Sequence, residues 1–145
     1  MRDLARLLAK EGGTFDGAIC ICESGFGELG GEREDVRFLK NICELLSKNR
    51  KCILTTFNAI RQYRKYEKHD ETFDITRSII RWHGPAEEYG KDLRDEIRMY
   101  TPSEIMMMFD VAGFKKTEIY GCSPGDFARR TLAPDDIEMM VIAAK

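Results

Sequence analysis

An apolar run that breaks into a glycine-rich segment is the feature that most constrains this fold. Residues Ala18–Cys22 are all apolar, and the segment Glu23–Gly31 that follows them contains four glycines. An amphipathic helical pattern begins directly afterwards, at Glu32. A strand that is apolar at nearly every position is typical of a sheet covered on both faces. Because open α/β sheets bind ligands beyond the carboxyl ends of their strands, the glycine-rich turn is a candidate site.

A helix and a second strand extend this pattern. The helix is predicted over Glu32–Lys48, with acidic residues in its first turn and basic residues at its end, the order that a helix dipole favours. The two strands are Gly17–Cys22 before the turn and Cys52–Phe57 after the helix. A helical connection between two strands favours a right-handed crossover, so we expect the strands to be adjacent and parallel.

Glycine and proline divide the second half of the chain. An antiparallel hairpin is predicted with arms Thr72–Trp82 and Lys91–Tyr100, because breakers separate two strand-like runs. A helix should begin at Thr101, where a threonine cap is followed by proline and then by Glu104. The other expected elements are a short helix or one-turn loop at Arg2–Lys10, a helix at Ala59–Lys68, and strands Lys115–Tyr120 and Glu138–Ala143 joined by a loop Gly121–Asp136.

The composition fits one globular domain of 145 residues, 43% hydrophobic and 33% charged. The net charge of −2 gives no overall basic field that would favour nucleic acid or an anionic membrane. The odd cysteine count of five, the lack of a secretory pattern and the lack of an apolar run of about twenty residues predict a cytoplasmic location. The two histidines have no nearby cysteine partners, which argues against a metal site.

The segment Gly25–Gly30 matches the dinucleotide-binding pattern G-x-G-x-x-G. An NAD-binding unit should end its second strand with an acid for the ribose hydroxyls, whereas Asn58 follows the second strand here. Glu32, Glu34 and Asp35 at the helix start would also repel a pyrophosphate. A flexible turn is therefore favoured, and an NAD-dependent oxidoreductase fragment is kept as an alternative.

The strand Phe15–Cys22 and the loop Ser24–Leu29 are the first of several segments whose order and spacing match one known family. They resemble the fourth strand and following loop of class I S-adenosylmethionine-dependent methyltransferases. Leu45–Leu54 together with Asn58 resembles the family's next helix and fifth strand, although Lys48–Lys51 replaces the usual Lys-Pro-Gly-Gly turn. Three further segments resemble the family's carboxyl-terminal half: Arg98–Ile105, Ala112–Phe114 and Met140–Lys145.

This resemblance implies the carboxyl-terminal half of such an enzyme, because the family's cofactor loop and ribose-binding acid lie on its first two strands, which have no match here. The implied fold is α/β, a partial Rossmann-like methyltransferase sheet. It contains two parallel strands, an inserted antiparallel hairpin at 72–100 and a closing antiparallel strand pair. Residues 1–145 then form a single, truncated methyltransferase-like domain.

The resemblance also implies site residues, with S-adenosylmethionine as the cofactor. No catalytic residue is implied, because methyl transfer is a displacement that alignment of the reactants can accelerate. Simpler interpretations remain open: Ser24 as a turn residue, Asn58 as a helix cap and Tyr100 as an amphipathic residue at a strand end. The implied residues are Met1 and Arg2 near the adenine, Cys22 and Glu23 closing the cofactor pocket, and Ser24, Phe26, Asn58 and Tyr100 facing the methyl acceptor.

The expected function is methyl transfer to a small molecule, by a chain that is incomplete as a stand-alone enzyme. Without a neighbour, the strand Gly17–Cys22 would present an apolar edge that invites pairing. The expected partner is therefore a second copy of the chain or an amino-terminal complementing chain. A non-catalytic assembly or complementing module is the alternative from a different class.

Overall fold

A computed structural model of the chain describes residues 14–21, 25–66, 72–85, 88, 90 and 92–145. The predicted helix or turn at Arg2–Lys10 lies outside these residues. The elements, in chain order, are β1 (Phe15–Cys20), α1 (Glu32–Leu45), β2 (Leu46–Phe57), α2 (Ala59–Lys65), β3 (Phe73–Asp74), β4 (Ile79–Gly84), β5 (Leu93–Arg98), α3 (Pro102–Ala112), β6 (Lys116–Ser123), β7 (Asp126–Arg130) and β8 (Glu138–Ala144).

The larger sheet has five strands in the order β1-β2-β8-β6-β7. Strands β1 and β2 are parallel, with Ala18 opposite Cys52 and Cys20 opposite Leu54. The remaining neighbours in this sheet pair in antiparallel fashion. The predicted parallel pair and the antiparallel pair at the end of the chain are therefore both present.

A smaller antiparallel sheet, in the order β3-β4-β5, lies in the chain between β2 and α3. The predicted hairpin at 72–100 is confirmed in β4 and β5, in which Ile80 lies opposite Ile97. The predicted first arm Thr72–Trp82 is wrong as a single strand, because a turn at residues 75–78 divides it into β3 and β4, which pair in antiparallel fashion. A parallel bridge between Asn58 and Tyr100, just beyond the ends of β2 and β5, joins this sheet to the larger one.

The helix predicted to reach Lys48 ends instead at Leu45, and β2 begins six residues before the predicted Cys52. Leu46 is already extended and pairs with Phe15 of β1. The extra strand residues are mostly exposed polar side chains. Pairing with β1 therefore decides the boundary where the local pattern favours a longer helix.

The closing segment is also more ordered than predicted. The expected loop Gly121–Asp136 contains β7 and the end of β6, joined by a tight turn with Gly125 at a φ of 83°. In this hairpin Arg130 Nη1 lies 2.8 Å from both carboxylate oxygens of Asp136. The loop prediction is therefore wrong over the last three residues of β6 and the five residues of β7.

Helices α1 and α3 cover one face of the larger sheet. Leu39 of α1 and Phe109 of α3 are fully buried and belong to one core cluster with Leu54 and Val141 of the sheet. Burial of each such side chain contributes about 1.5 to 3 kcal/mol to folding. None of the described helices is both long and apolar enough to cross a membrane.

The edge strand β1 is the apolar border of the larger sheet. Among the described residues it pairs only with β2. Ile19 is 72% exposed, and Phe15 and Ile21 are also exposed. The apolar edge expected from the sequence is therefore present in the described part of the chain.

Candidate functional site

The candidate site lies where the parallel strands β1 and β2 end. Asn58 directly follows β2, and the backbone N–H of Ala59 donates to the carbonyl of Tyr100 at 3.0 Å. The ring of Phe26, from the loop after β1, lies 5.4 Å from the Tyr100 ring, centroid to centroid. The structure thus brings together three of the predicted acceptor residues, Phe26, Asn58 and Tyr100.

The other predicted site residues lie outside the described residues. They are Met1, Arg2, Cys22 and Glu23, assigned to the cofactor, and Ser24, assigned to the acceptor. Their roles stay predictions.

Asn58 is fully buried, and both ends of its side-chain amide have protein partners. Its Oδ1 accepts a hydrogen bond from the N–H of Ile60 at 3.1 Å, which caps α2. Its Nδ2 donates to the carbonyl oxygen of Asp136 at 3.2 Å. The helix-cap interpretation is therefore confirmed, and a contact of Asn58 with an acceptor stays a prediction.

A buried carboxylate, Asp35, joins the glycine-rich loop to Tyr100. Its Oδ2 accepts a hydrogen bond from the Tyr100 hydroxyl at 2.5 Å, and its Oδ1 accepts one from the N–H of Gly27 at 3.1 Å. Asp35 and Tyr100 are both completely buried. A fully hydrogen-bonded polar network of this kind makes the floor of the site rigid.

Burial sets the protonation behaviour of this pair. It raises the pKa of Asp35, and the hydrogen bonds from Tyr100 and Gly27 oppose that rise. Burial also raises the pKa of Tyr100, and the adjacent Asp35 carboxylate raises it further. The Tyr100 hydroxyl therefore stays protonated and acts as the donor to Asp35 across the ordinary pH range.

Arg98 connects the surrounding elements. Its Nε lies 2.9 Å from Glu32 Oε1 of α1, and its Nη2 lies 2.9 Å from Glu104 Oε1 of α3. The guanidinium carbon lies 4.7 Å from the centre of the Tyr100 ring, within cation–π range. The backbone N–H of Arg98 also donates to the carbonyl oxygen of Gly27 at 2.8 Å.

The contacts of Gly27 with Arg98 and Asp35 show what the G-x-G-x-x-G segment does in this structure. Gly27 has a φ of 96°, and a Cβ added there would lie 2.5 Å from the Arg98 carbonyl oxygen. Its N–H is occupied by the Asp35 carboxylate, which takes the place that a phosphate oxygen would need. The arrangement therefore serves close packing of the loop and disfavours a dinucleotide pyrophosphate at the start of α1.

A cleft of about 410 Å³ opens between this loop and the smaller sheet. The loop side is formed by Gly27, Glu28, Gly30 and Gly31, and the sheet side includes Arg94, Asp95, Glu96 and Arg98. The cleft therefore joins the turn after β1 to the insert after β2. Among the described residues, no group of three or more His, Cys, Asp or Glu side chains is arranged to hold a metal ion.

Sequence reasoning missed Asp35 and Arg98 as members of the site. Asp35 was interpreted only as one of three acids that favour a helix start, and Arg98 only as part of a matched segment. The available signal was the position of Asp35 on the apolar face of α1, between the start of the helix and Leu39. A carboxylate on a buried face requires a hydrogen-bonding partner.

Only the comparison of three-dimensional structures found proteins similar to this chain. No protein-family model and no curated protein matches the chain. The structure is similar to the CcbJ methyltransferase from Streptomyces caelestis, with 17% identity and a TM-score of 0.68 over 90% of this chain and 61% of that protein. It is similar to an S-adenosylmethionine-dependent methyltransferase from Clostridium acetobutylicum, with 10% identity and a TM-score of 0.66 over 99% of this chain and 70% of that one.

A third similar structure is the glycopeptide N-methyltransferase MtfA in complex with S-adenosylhomocysteine. It has 16% identity and a TM-score of 0.53, over 90% of this chain and 55% of MtfA. This chain thus spans less than two thirds of the length of CcbJ and of MtfA. Its fold is that of the S-adenosylmethionine-dependent methyltransferases.

Proposed function

We propose that this chain is the acceptor-binding half of an S-adenosylmethionine-dependent methyltransferase for a small molecule. The observation that carries the proposal is the convergence of the loop after β1 and the insert after β2 on one cleft at the carboxyl ends of parallel strands. The methyltransferase fold of the neighbouring structures supports it. We further propose that Phe26, Asn58 and Tyr100, which are buried and do not line this cleft, support the loop and strand ends on which the acceptor would rest.

We also propose that the described residues do not by themselves bind the cofactor. The polar groups nearest the strand ends, the Gly27 N–H, the Asp35 carboxylate and the Asn58 amide, are hydrogen-bonded within the protein. S-adenosylmethionine, when bound, supplies the methyl group. We therefore propose that Met1, Arg2, Cys22 and Glu23 contribute one side of its pocket and that an amino-terminal methyltransferase half contributes the other.

A difference between the edge strands supports the division of the enzyme into two halves. The edge strand β5 carries four charged side chains, and β7 carries three beside an exposed Phe127; such charges discourage pairing with another chain. Strand β1 carries one charged side chain, Asp16, and exposes Ile19. A parallel strand from the amino-terminal half, added beside β1, would pair with its open backbone edge and continue the parallel part of the sheet. We propose that this addition brings the two sides of the cofactor pocket together.

Calorimetric titration with S-adenosylhomocysteine tests the proposal. We expect no heat with the chain alone at millimolar ligand, and binding after it is mixed with an amino-terminal methyltransferase half encoded beside it. Tight binding by the chain alone would contradict the need for a second half. Absence of binding in the mixture would contradict the cofactor assignment.

The same edge favours a second candidate, a non-catalytic module that completes the fold of a partner. In that case Ile19→Lys would prevent formation of the complex, while the wild-type complex would form without binding S-adenosylhomocysteine. Met107→Lys is the matched control, since Met107 is a 61% exposed apolar residue on α3, away from β1. No described contact favours the NAD-dependent alternative.

A further inference from the structure

The face of the larger sheet that lies opposite α1 carries a row of isoleucines. Ile19 of β1 pairs with Ile53 of β2, and Ile53 pairs with Ile142 of β8, so these side chains lie next to one another on one face. Among the described residues, the apolar cluster on this face contains no helix residue. Its members come from β2, β6 and β8: Cys122, Met140 and Ile142, with Ile53 and Tyr120 packed against them.

Exposure along the isoleucine row rises toward the open edge of the sheet. Ile142 is 5% exposed, Ile53 is half-buried, and Ile19 is 72% exposed. The other face of β1 differs, because Ala18 and Cys20 are half-buried against the core cluster that contains α1 and α3. One face of β1 is therefore packed beneath helices, whereas the other presents a large aliphatic side chain to solvent.

The strand proposed beside β1 would not by itself cover Ile19. Its backbone would pair with β1 in the plane of the sheet, whereas the side chains of β1 project above and below that plane. Parallel strands occur in sheets with both faces covered, because their helical connections pack on the sheet. Burial of Ile19 therefore needs a second element of the partner, on the face opposite α1.

The hand of the helical connections determines where such an element would lie. Helix α1 connects β1 to β2 and packs on the face of Ala18 and Cys20. Right-handed crossovers place their helices on one face when the chain moves across the sheet in one direction, and on the opposite face when it moves the other way. A partner whose strands continue outward from β1, away from β2, would therefore place its connecting helix over Ile19.

The similar structures are long enough to contain such an element in addition to the part that this chain matches. The chain spans 61% of CcbJ and 55% of MtfA. The remaining part of each of these proteins leaves room for further strands and the helices that connect them.

We propose that the amino-terminal half packs an amphipathic helix against Ile19 and Ile53, on the side of the sheet opposite α1. The inner side of this helix must be apolar, because it meets the two isoleucines, and its outer side must be polar, because it faces water. The surface has this role only if the division of the enzyme into two halves, proposed above, is correct. It adds to the strand pairing a second contact, made by side chains and not by backbone.

Methyl NMR of the full chain, alone and mixed with an amino-terminal methyltransferase half encoded beside it, tests the proposal. The chain is labelled with ¹³C at the isoleucine δ1 methyl groups, and the soluble nitroxide TEMPOL broadens the signals of accessible methyls. We expect strong broadening of the Ile19 signal in the dilute chain alone and several-fold weaker broadening in the complex. Ile75 is the control, because it is 44% exposed in the turn between β3 and β4 and should be broadened equally in both samples.

Ile19→Thr separates helix packing from strand pairing. Threonine retains the β-branched shape that suits a strand, and it leaves the backbone edge of β1 unchanged. We expect the substitution to weaken the complex about tenfold, because it removes apolar area from the contact with the helix. Val111→Thr is the matched control and should leave the affinity unchanged, since Val111 is 55% exposed on α3.

The outcomes distinguish this docking surface from the proposed function. A complex in which the Ile19 methyl stays accessible, or in which Ile19→Thr binds as tightly as the wild type, would overturn the docking surface and leave the proposed function standing. Protection of Ile19 in a complex that does not bind S-adenosylhomocysteine would support the surface and contradict the cofactor assignment.

Two further results would also overturn the docking surface. Equal protection of Ile19 in the concentrated chain without the amino-terminal half would assign this face to a second copy of the chain. Failure of the two halves to associate would overturn the surface together with the division of the enzyme.

Discussion

Gly27 lies between the carbonyl oxygen of Arg98 and the carboxylate of Asp35, with a φ of 96°. We expect Gly27→Ala to destabilise the protein by about 2 kcal/mol or more, because alanine adds left-handed backbone strain and its Cβ meets backbone. Urea unfolding followed by circular dichroism measures the change. Gly30→Ala is the control, since Gly30 has a φ of 99° but open space around its Cβ position.

The control isolates the steric part of this effect. Gly30→Ala should cost only the backbone strain, about 1 kcal/mol. Equal destabilisation by the two substitutions would contradict the close approach of Gly27 to Arg98.

Asp35 should make stability depend on pH. Its folded-state pKa is raised above the ordinary value of 3.8, so the folded protein holds the proton more tightly than the unfolded chain. The resulting stabilisation is present at low pH and is lost as the pH rises through the folded-state pKa. The free energy of unfolding of Asp35→Asn, minus that of the wild type, should therefore increase from pH 4 to pH 7.

Urea titrations at each pH give this difference, in which the contributions of other acids cancel. The comparison is between two proteins at the same pH, so it does not depend on their absolute stabilities. A difference that stays constant or falls with pH would show that Asp35 is not a buried carboxylate with a raised pKa.

At the residue scale, the sequence allowed the proximity of three residues to be predicted, whereas their contact with an acceptor stays a prediction. The grouping of Phe26, Asn58 and Tyr100 followed from the family resemblance, and the structure brings these residues together. The roles of Asp35 and Arg98 could not be predicted in the same way. Their partners are distant in sequence, as with Asp35 and Tyr100, which are 65 positions apart, and local patterns do not report such contacts.

At the scale of elements, the start of α3 was predictable because its signals are local. Thr101 Oγ1 accepts from the Glu104 N–H at 3.3 Å, and Glu104 Oε2 accepts from the Thr101 N–H at 2.7 Å. We expect Thr101→Ala to lower the free energy of unfolding by about 1 kcal/mol, because it removes this cap. Chemical denaturation measures the loss.

Thr101→Ser retains the hydroxyl and should recover most of the stability. Met106→Ala, at an exposed position of the same helix, should change little. A loss in Thr101→Ser as large as that in Thr101→Ala would show that the methyl group, and not the cap, is responsible.

The boundary between α1 and β2 was predicted less well for a physical reason. Residues after Leu45 have the polar character of a helix end. They nevertheless form a strand, because β2 pairs with both β1 and β8. Lys51 lies opposite both Gly17 and Ala144, so the strand is held from both sides. Tertiary pairing overrides local propensity here.

At the scale of the whole molecule, the exposed β1 edge should control association. We expect the chain alone to self-associate with increasing concentration, because exposed Ile19 and the open strand edge favour pairing. Ile19→Lys should shift the sedimentation profile toward the monomer. Met107→Lys, which removes a comparably exposed apolar side chain from α3, should leave association unchanged.

A monomer at all concentrations would contradict association through β1. Equal effects of Ile19→Lys and Met107→Lys would instead indicate general hydrophobic association, with no role for the strand edge.

The parallel pair and the inserted hairpin were predictable because each depends on local periodicity and on connection rules. The packing of the glycine-rich loop on β5 was not, since it depends on Gly27 meeting Arg98 across the fold. The cleft arises from this packing. Its charged lining therefore became evident only from the three-dimensional arrangement.

Arg98, the last residue of β5, forms ion pairs with Glu32 of α1 and Glu104 of α3, and its backbone N–H donates to Gly27 of the glycine-rich loop. Its guanidinium thus holds three elements, α1, α3 and the small sheet, through one group. Loss of that single charge would therefore weaken the attachment of all three elements at the same time.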